Sequence, residues 1–110
     1  MIQVLIERKN HDITAYTVKG HADSGPYGHD LVCAAVSAIT FGAANAVSEL
    51  CEIDLYVDQA GDEGGYLHIA IPSQVDEAIL KKAAWLLEGM LVSLQSVESE
   101  YGQFLSIAEQ

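Results

Sequence analysis

The chain has 110 residues, with 16 acidic against 5 basic side chains and a formal net charge of −11 at pH 7. This length predicts one domain spanning 1–110, and the 50% share of apolar residues argues against bulk disorder. The acidic balance excludes a protein that follows nucleic-acid phosphates with clustered Lys and Arg, and it is compatible with a basic protein partner. The opening residues lack the features of a signal peptide, and we expect no run long enough to span a membrane, so the sequence predicts a cytoplasmic protein.

The first half of the chain changes from strand to helix periodicity. Residues 2–7 carry a β-branched side chain at every second position and predict a strand, and after a polar break 13–19 predict its hairpin partner. Residues 20–29 hold three glycines and a proline without apolar periodicity, which predicts a loop. From Leu31 to Leu50, apolar side chains recur every three or four residues, so a helix of about twenty residues follows.

The second half repeats the pattern of hairpin and helix and adds a last strand. Strands are predicted at 55–58 and 66–71, around a glycine-rich turn at 61–65. Ser73 and Asp76 resemble a capping box before a second helix that ends at Tyr101, with Gly102 as its C-cap. Residues 104–108 predict the final short strand. The order ββαββαβ predicts an α+β, two-layer sandwich: a mixed sheet of four to five strands with two long helices on one face. The other sheet face is then exposed or covered by a second subunit, which favours a homodimer.

The segment from Gly20 to Ser37, GHADSGPYGHDLVCAAVS, concentrates the candidates for chemistry. Asp30 is predicted as the N-cap of the first helix, which places Cys33 in the first turn. There the helix dipole and unpaired amides favour the thiolate, the nucleophilic species, while the Asp30 carboxylate opposes it. Those amides are also the candidate oxyanion donors.

A histidine at the other end of this loop is the candidate base. His21 lies twelve residues before Cys33, and a loop this short brings its ends together at modest entropic cost. The imidazole can then take the thiol proton, with Asp30 or Asp23 fixing its tautomer. Ser37, one turn after Cys33, is positioned to support the pair or to bind substrate.

Other interpretations of these residues stay open on spacing alone. A cysteine in an Ala-rich amphipathic stretch is also typical of inert packing, which is the interpretation that fits Cys51. A zinc site would recruit His21, His29 and Cys33, but that spacing matches no usual ligand pattern, and the loop lacks the features of a phosphate loop. The acidic residues around the second hairpin fit either a solvated sheet edge or a docking surface for a basic partner: Asp54, Asp58, Asp62 and Glu63.

The run from Gly20 to Ser37 resembles the signature of the ribosomal-processing cysteine protease Prp family, and the similarity extends over essentially the whole chain. The resemblance implies a small, dimeric, cytoplasmic endopeptidase without a metal or organic cofactor. It implies removal of the N-terminal extension of a basic ribosomal protein, number twenty-seven of the large subunit, with cleavage after aromatic and before small residues.

The resemblance also implies roles for individual residues. His21 and Cys33 match the catalytic pair, and Asp30 and Ser37 match supporting signature positions. The substrate loop that it implies includes Gly20, Gly25, Tyr27, Gly28 and His29. Tyr27 would line the pocket for the aromatic residues, and the glycines would let the loop close.

Two functions of other classes compete with the protease. A non-catalytic acidic adaptor could hold a basic ribosomal protein, with Cys33 only packing. A thiol redox or metal sensor could use Cys33 and the nearby histidines.

Overall fold

The structure is a computed structural model that describes residues 1–21, 26–60 and 65–110. The elements, in chain order, are β1 (Ile2–Lys9), β2 (Asp12–Lys19), α1 (Pro26–Cys51), β3 (Tyr56–Gln59), β4 (Tyr66–Ala70), α2 (Glu77–Tyr101) and β5 (Leu105–Glu109). The strands form one five-stranded sheet in the order β3-β4-β2-β1-β5. Only the β1–β5 pairing is parallel within the described residues, so the sheet is mixed. The predicted α+β class and the order ββαββαβ are therefore confirmed.

The β1–β2 hairpin contains a bulge that the sequence pattern hides. Asn10 and His11 make its two-residue turn, both with positive φ, as turns that match the twist of a hairpin require. The register then shifts between Glu7 and Arg8, where β2 carries one extra residue, Thr14. A regular strand would turn Ile13 and Tyr16 to opposite faces, but the bulge lets both side chains enter the core, where each is fully buried.

Both helices cover the same sheet face. The buried cluster joins alternate residues of β1, such as Val4 and Ile6, to residues of α1 and α2, such as Val36 and Leu87. The opposite face carries the intervening residues, among them Gln3, and has no covering element among the described residues.

The first helix begins earlier than the sequence predicts. Residues 26–29, expected in the loop, form the first turn of α1, and the predicted N-cap Asp30 lies inside the helix. Pro26 explains the difference, because its fixed φ and missing N–H suit the first helical position. The expected end of the helix is nearly correct, at Cys51.

The caps of the second helix also differ in part from the prediction. α2 begins at Glu77, its N-cap is Asp76 instead of Ser73, and no side-chain hydrogen bond caps it. Residues 73–75 form a turn after Pro72, so the predicted capping box does not exist. Gly102 is the C-cap as predicted, but with φ −60° it stays in the right-handed region.

Residues 31–51 of α1 correct the expectation that no stretch approaches membrane-spanning length. By length and composition alone this segment could cross a bilayer, and 22% of its most apolar 18-residue window is buried. Core helices of soluble proteins and signal sequences pass the same test. Val32, Val36 and Val47 face the sheet and are almost fully buried, which is the pattern of a core helix.

The acidic second hairpin lies at the edge of the sheet. β3 is an edge strand, and all four of its residues are exposed, including Asp58. Asp54 just before it is also exposed, while Asp62 and Glu63 lie outside the described residues. A charged side chain on an exposed edge discourages pairing with another sheet, as the solvated-edge interpretation predicts.

Candidate active site

A cavity of about 490 Å³ opens between α1, from its third turn to its middle, and the adjoining ends of the strands. It brings together two of the predicted site residues that are twelve positions apart, His21 and Cys33. Gly20 and Ser37 line it as well. The fold thus places four of the predicted residues around one space large enough for several side chains of a peptide.

His21 is positioned by the end of β2. His21 follows Gly20, whose N–H donates to the carbonyl of Gly65 at 2.8 Å, so the backbone is held just before the imidazole. Gly20 has φ +89°, and a Cβ there would lie 2.5 Å from the carbonyl oxygen of Met1. Only glycine fits this close approach. The His21 side chain is exposed and reaches the cavity from the sheet side.

One face of α1 delivers the thiol. Cys33, Ser37 and Phe41 follow each other at four-residue steps and all line the cavity, because residues at this spacing lie above one another on a helix. Cys33 is half-buried and is a free thiol, whereas Cys51 is buried at the other end of the helix.

The corrected start of α1 changes how the thiol could be activated. Cys33 lies seven residues after Pro26, in the third turn instead of the first. The dipole effect fades within the first turn of a helix, so the predicted dipole contribution does not reach this sulfur. Within α1, the N–H groups without helical partners belong to residues 27 and 28, more than one turn before Cys33, which moves the predicted oxyanion donors away from it.

The remaining predicted residues lie at the margin of the described structure. Asp23 and Gly25 lie outside the described residues. Tyr27, Gly28 and His29 have helical backbone in the first turn of α1. Asp30 follows them in the helix, and the side chains of 26–30 are outside what the structure describes, so the structure does not place any of them against Cys33 or His21.

A buried hydrogen bond supports the helix behind the cavity. The Tyr16 hydroxyl donates to the carbonyl oxygen of Thr40 at 2.7 Å, and Thr40 Oγ1 donates to the carbonyl of Val36 at 2.8 Å. Tyr16 is fully buried, and this desolvation raises the pKa of its phenol well above the usual range. The bond ties the middle of α1 to β2, the strand that leads to His21.

Sequence reasoning missed the residues that the second hairpin contributes. Gln59, Ala60, Gly65 and Tyr66 line the cavity from the ends of β3 and β4. No local pattern links them to Cys33, since the contact depends on the sheet order. Phe41 was recoverable, because it continues the four-residue spacing from Cys33 and Ser37.

The described residues do not support the zinc site that the sequence left open. Among the residues that the structure describes, no three His, Cys, Asp or Glu side chains lie close enough to hold a metal ion. The side chain of His29, which that interpretation needs, is outside this set.

The comparisons with known proteins agree with this architecture. The family model for "Cysteine protease Prp" matches residues 1–106. A Bacillus subtilis protein, named ribosomal processing cysteine protease Prp, is 41% identical over 109 residues, covering 97% of this chain and 96% of its own.

Two crystal structures of the Staphylococcus aureus processing protease Prp are also similar. One, with a covalently linked product peptide, matches with a TM-score of 0.80 at 37% identity and covers all of both chains. The other, with a substrate peptide, matches at 0.78 and 36% identity, again over both full chains. The chain therefore belongs to the Prp family of cysteine proteases and is a cysteine endopeptidase.

Proposed function

We propose that this endopeptidase removes the N-terminal extension of a basic large-subunit ribosomal protein, number twenty-seven, with Cys33 as nucleophile and His21 as base. The observation that carries the proposal is the shared cavity, which the thiol enters from α1 and the imidazole enters from the end of β2. Two comparisons support the proposal. The B. subtilis relative is named a ribosomal processing protease, and the S. aureus relative forms a complex with a covalently linked product peptide.

The proposed reaction follows the chemistry of a thiol–imidazole pair. His21 accepts the proton of Cys33, and the thiolate attacks the scissile carbonyl to form a tetrahedral intermediate. The C–N bond then breaks as the imidazolium donates its proton to the leaving amine, which leaves a thioester on Cys33. Water, deprotonated by His21, adds to the thioester and releases the carboxylate and the thiol. Ser37 supports the pair or the peptide from the next helical turn.

The cavity walls suit the aromatic residues that such an extension carries before the cut. Phe41 and Tyr66 offer aromatic faces, and Val36 and Leu67 add aliphatic surface. Aromatic pairs contribute about 0.5–1.5 kcal/mol beyond the area that they bury. We assign the pocket for the aromatic residues to this part of the cavity; the predicted role of Tyr27 concerns a side chain outside the described residues.

The charge of the chain suits a basic substrate. A net charge of −11 attracts a basic protein over several ångströms and raises the association rate at low ionic strength. The exposed Asp58 directly precedes Gln59, which lines the cavity, and adds to this attraction. Added salt should therefore lower kcat/KM for the protein substrate more than for a short neutral peptide.

We further propose that the enzyme acts as a cytoplasmic homodimer. Two free cysteines suit a reducing compartment. The α2 surface exposes 77% of Trp85 and 62% of Val92, which lie seven residues apart on one face. An exposed apolar pair on one helix face is a candidate contact with a second subunit, separate from the open sheet face considered from the sequence. Light scattering of wild type and Trp85→Glu tests the proposal, since the variant should be monomeric if this face is the interface.

The experiment that tests the catalytic assignment is cleavage of a peptide with the extension sequence from the same organism. Cys33→Ala and His21→Ala should each lower kcat/KM by about 10³-fold or more with the fold retained, as losses of catalytic-unit members do. Cys51→Ala is the matched control and should cleave at the wild-type rate, because that thiol is buried away from the cavity. Wild-type cleavage by Cys33→Ala, with the peptide still bound, would instead identify an adaptor without this nucleophile.

A further inference from the structure

Gly65 lies directly against the His21 imidazole, although 44 positions separate them. It precedes β4 and lines the cavity, and its carbonyl accepts the N–H of Gly20. A Cβ built on Gly65 would lie 2.7 Å from Nε2 of His21 and 3.0 Å from Cε1. The outer edge of the ring therefore occupies the space that any side chain at position 65 would need.

We infer that Gly65 is a positioning residue for the His21 base. The inference rests on the proposed function, in which His21 is the catalytic base. Gly65 acts in two ways: its carbonyl fixes the backbone before His21, and its bare Cα leaves room for the ring in the cavity. The second hairpin thus determines where the imidazole meets the thiol, even though it lies outside the Gly20–Ser37 signature.

The contact predicts that a side chain at position 65 displaces the His21 ring and lowers activity without unfolding the protein. A Cβ closer than 3.0 Å forces one partner to move, and the exposed His21 ring can rotate about its side-chain bonds more easily than the strand end can shift. The rotation would carry Nε2 away from its native place in the cavity. Misplacement of a reacting group by about 1 Å costs on the order of 10²-fold in rate.

Position 65 also has φ +78°, so a side chain there introduces backbone strain as well as the contact. Two substitutions separate these effects. Asn accepts left-handed φ more readily than Ala, but both residues carry the same Cβ. If contact with the ring decides the outcome, Gly65→Asn is at least as inactive as Gly65→Ala. If strain alone decides it, Gly65→Asn is nearer to wild type, which would overturn the inference.

The experiment combines peptide cleavage with alkylation of Cys33 by iodoacetamide between pH 5 and 9. Gly65→Ala should lower kcat about 10²-fold with a smaller change in KM, and it should slow alkylation at pH 6–7. Gly89→Ala is the control, since a Cβ at Gly89 meets nothing within 4 Å, and it should match wild type in both assays. Thermal melting of each variant checks that the fold persists.

A double variant separates failure of this inference from failure of the proposed function. Once His21 is replaced by Ala there is no ring to displace, so adding Gly65→Ala should not slow alkylation further. A further slowing of the same size would show that Gly65 acts elsewhere and would overturn the inference. Wild-type cleavage by His21→Ala would reject the base itself. Wild-type cleavage by both Gly65 variants, with His21→Ala inactive, would reject only the role of Gly65.

Discussion

Replacing Tyr16 with Phe removes one buried hydroxyl and tests how α1 is fixed to the sheet. The hydroxyl donates to the carbonyl of Thr40 at 2.7 Å, and both residues are almost fully buried. Phe keeps the ring and its packing but leaves the Thr40 carbonyl without this donor. The Thr40 carbonyl lies inside α1 and keeps its helical N–H partner, so one net hydrogen bond is lost and the free energy of unfolding at pH 7 should fall by about 1 kcal/mol. For a domain of this size, that lowers Tm by about 4–8 °C per kcal/mol.

The same substitution has a distinct pH signature. Burial raises the pKa of the Tyr16 phenol above its unfolded value of about 10. A group with a raised folded pKa stabilises the fold fully below its unfolded pKa, and this stabilisation is lost as the pH rises through the folded value. Above pH 10 the unfolded chain releases the proton and the folded chain keeps it, so this one group lowers stability by about 1.4 kcal/mol per pH unit.

The Tyr16→Phe variant has no phenolic proton to release at this position, so its stability difference from wild type should narrow from pH 10 and vanish near pH 11. Urea unfolding followed by far-UV circular dichroism at pH 7, 9, 10 and 11 measures this directly. A stability difference that stays constant from pH 7 to 11 would refute the role of Tyr16 burial. Other ionising groups affect both proteins equally and cancel in the difference.

Three further predictions concern other parts of the fold. The Arg8 guanidinium donates to both carboxylate oxygens of Glu88 and to Glu109. Arg8→Met should therefore lower the free energy of unfolding, measured by urea titration, by about 1–2 kcal/mol. An unchanged unfolding midpoint would show that this network contributes nothing to stability. Gly89→Ala should raise Tm, since the site is open and Ala is favoured over Gly in a helix by about 1 kcal/mol, and a lower Tm would contradict this. Iodoacetamide should label native wild type once and native Cys33→Ala not at all, as judged by intact mass, because Cys51 is buried; a label on that variant would show that Cys51 is accessible.

The order of elements could be predicted because most elements carry their own periodicity. β1 alternates every two residues, and α2 repeats its apolar stripe over its whole length, so local physics suffices for both. The start of α1 could not be predicted in this way. Residues 26–29 show no apolar stripe, and a proline that looks like loop chemistry is equally suited to a first helical turn.

The site was predictable only where its residues are close in sequence. Cys33, Ser37 and Phe41 share a helix face, and His21 lies at the start of the short loop before that helix, so their closeness could be expected from sequence separation. Gly65 lies beside His21 because β4 pairs with β2. This pairing joins segments far apart in the sequence, and no local pattern predicts it. The bulge at Thr14 is a similar case, since burial of both Ile13 and Tyr16 overrides the regular alternation of the strand.

The parallel pairing of β5 with β1 affects how the chain acquires its fold. Ile2 pairs with Leu105, and the Ile2 N–H donates to the carbonyl of Phe104 at 2.8 Å. One edge of β1 therefore pairs with a strand that lies more than 100 residues later in the sequence. The two hairpins and the helices form by closing short loops, whereas the β1–β5 contact closes a loop that contains nearly the whole chain. On the ribosome, the hairpin can form early, but one edge of β1 stays unpaired until residues 105–109 emerge. We therefore expect closure of this edge to be the last step of folding, and substitutions in β5 to accelerate unfolding more than they slow folding.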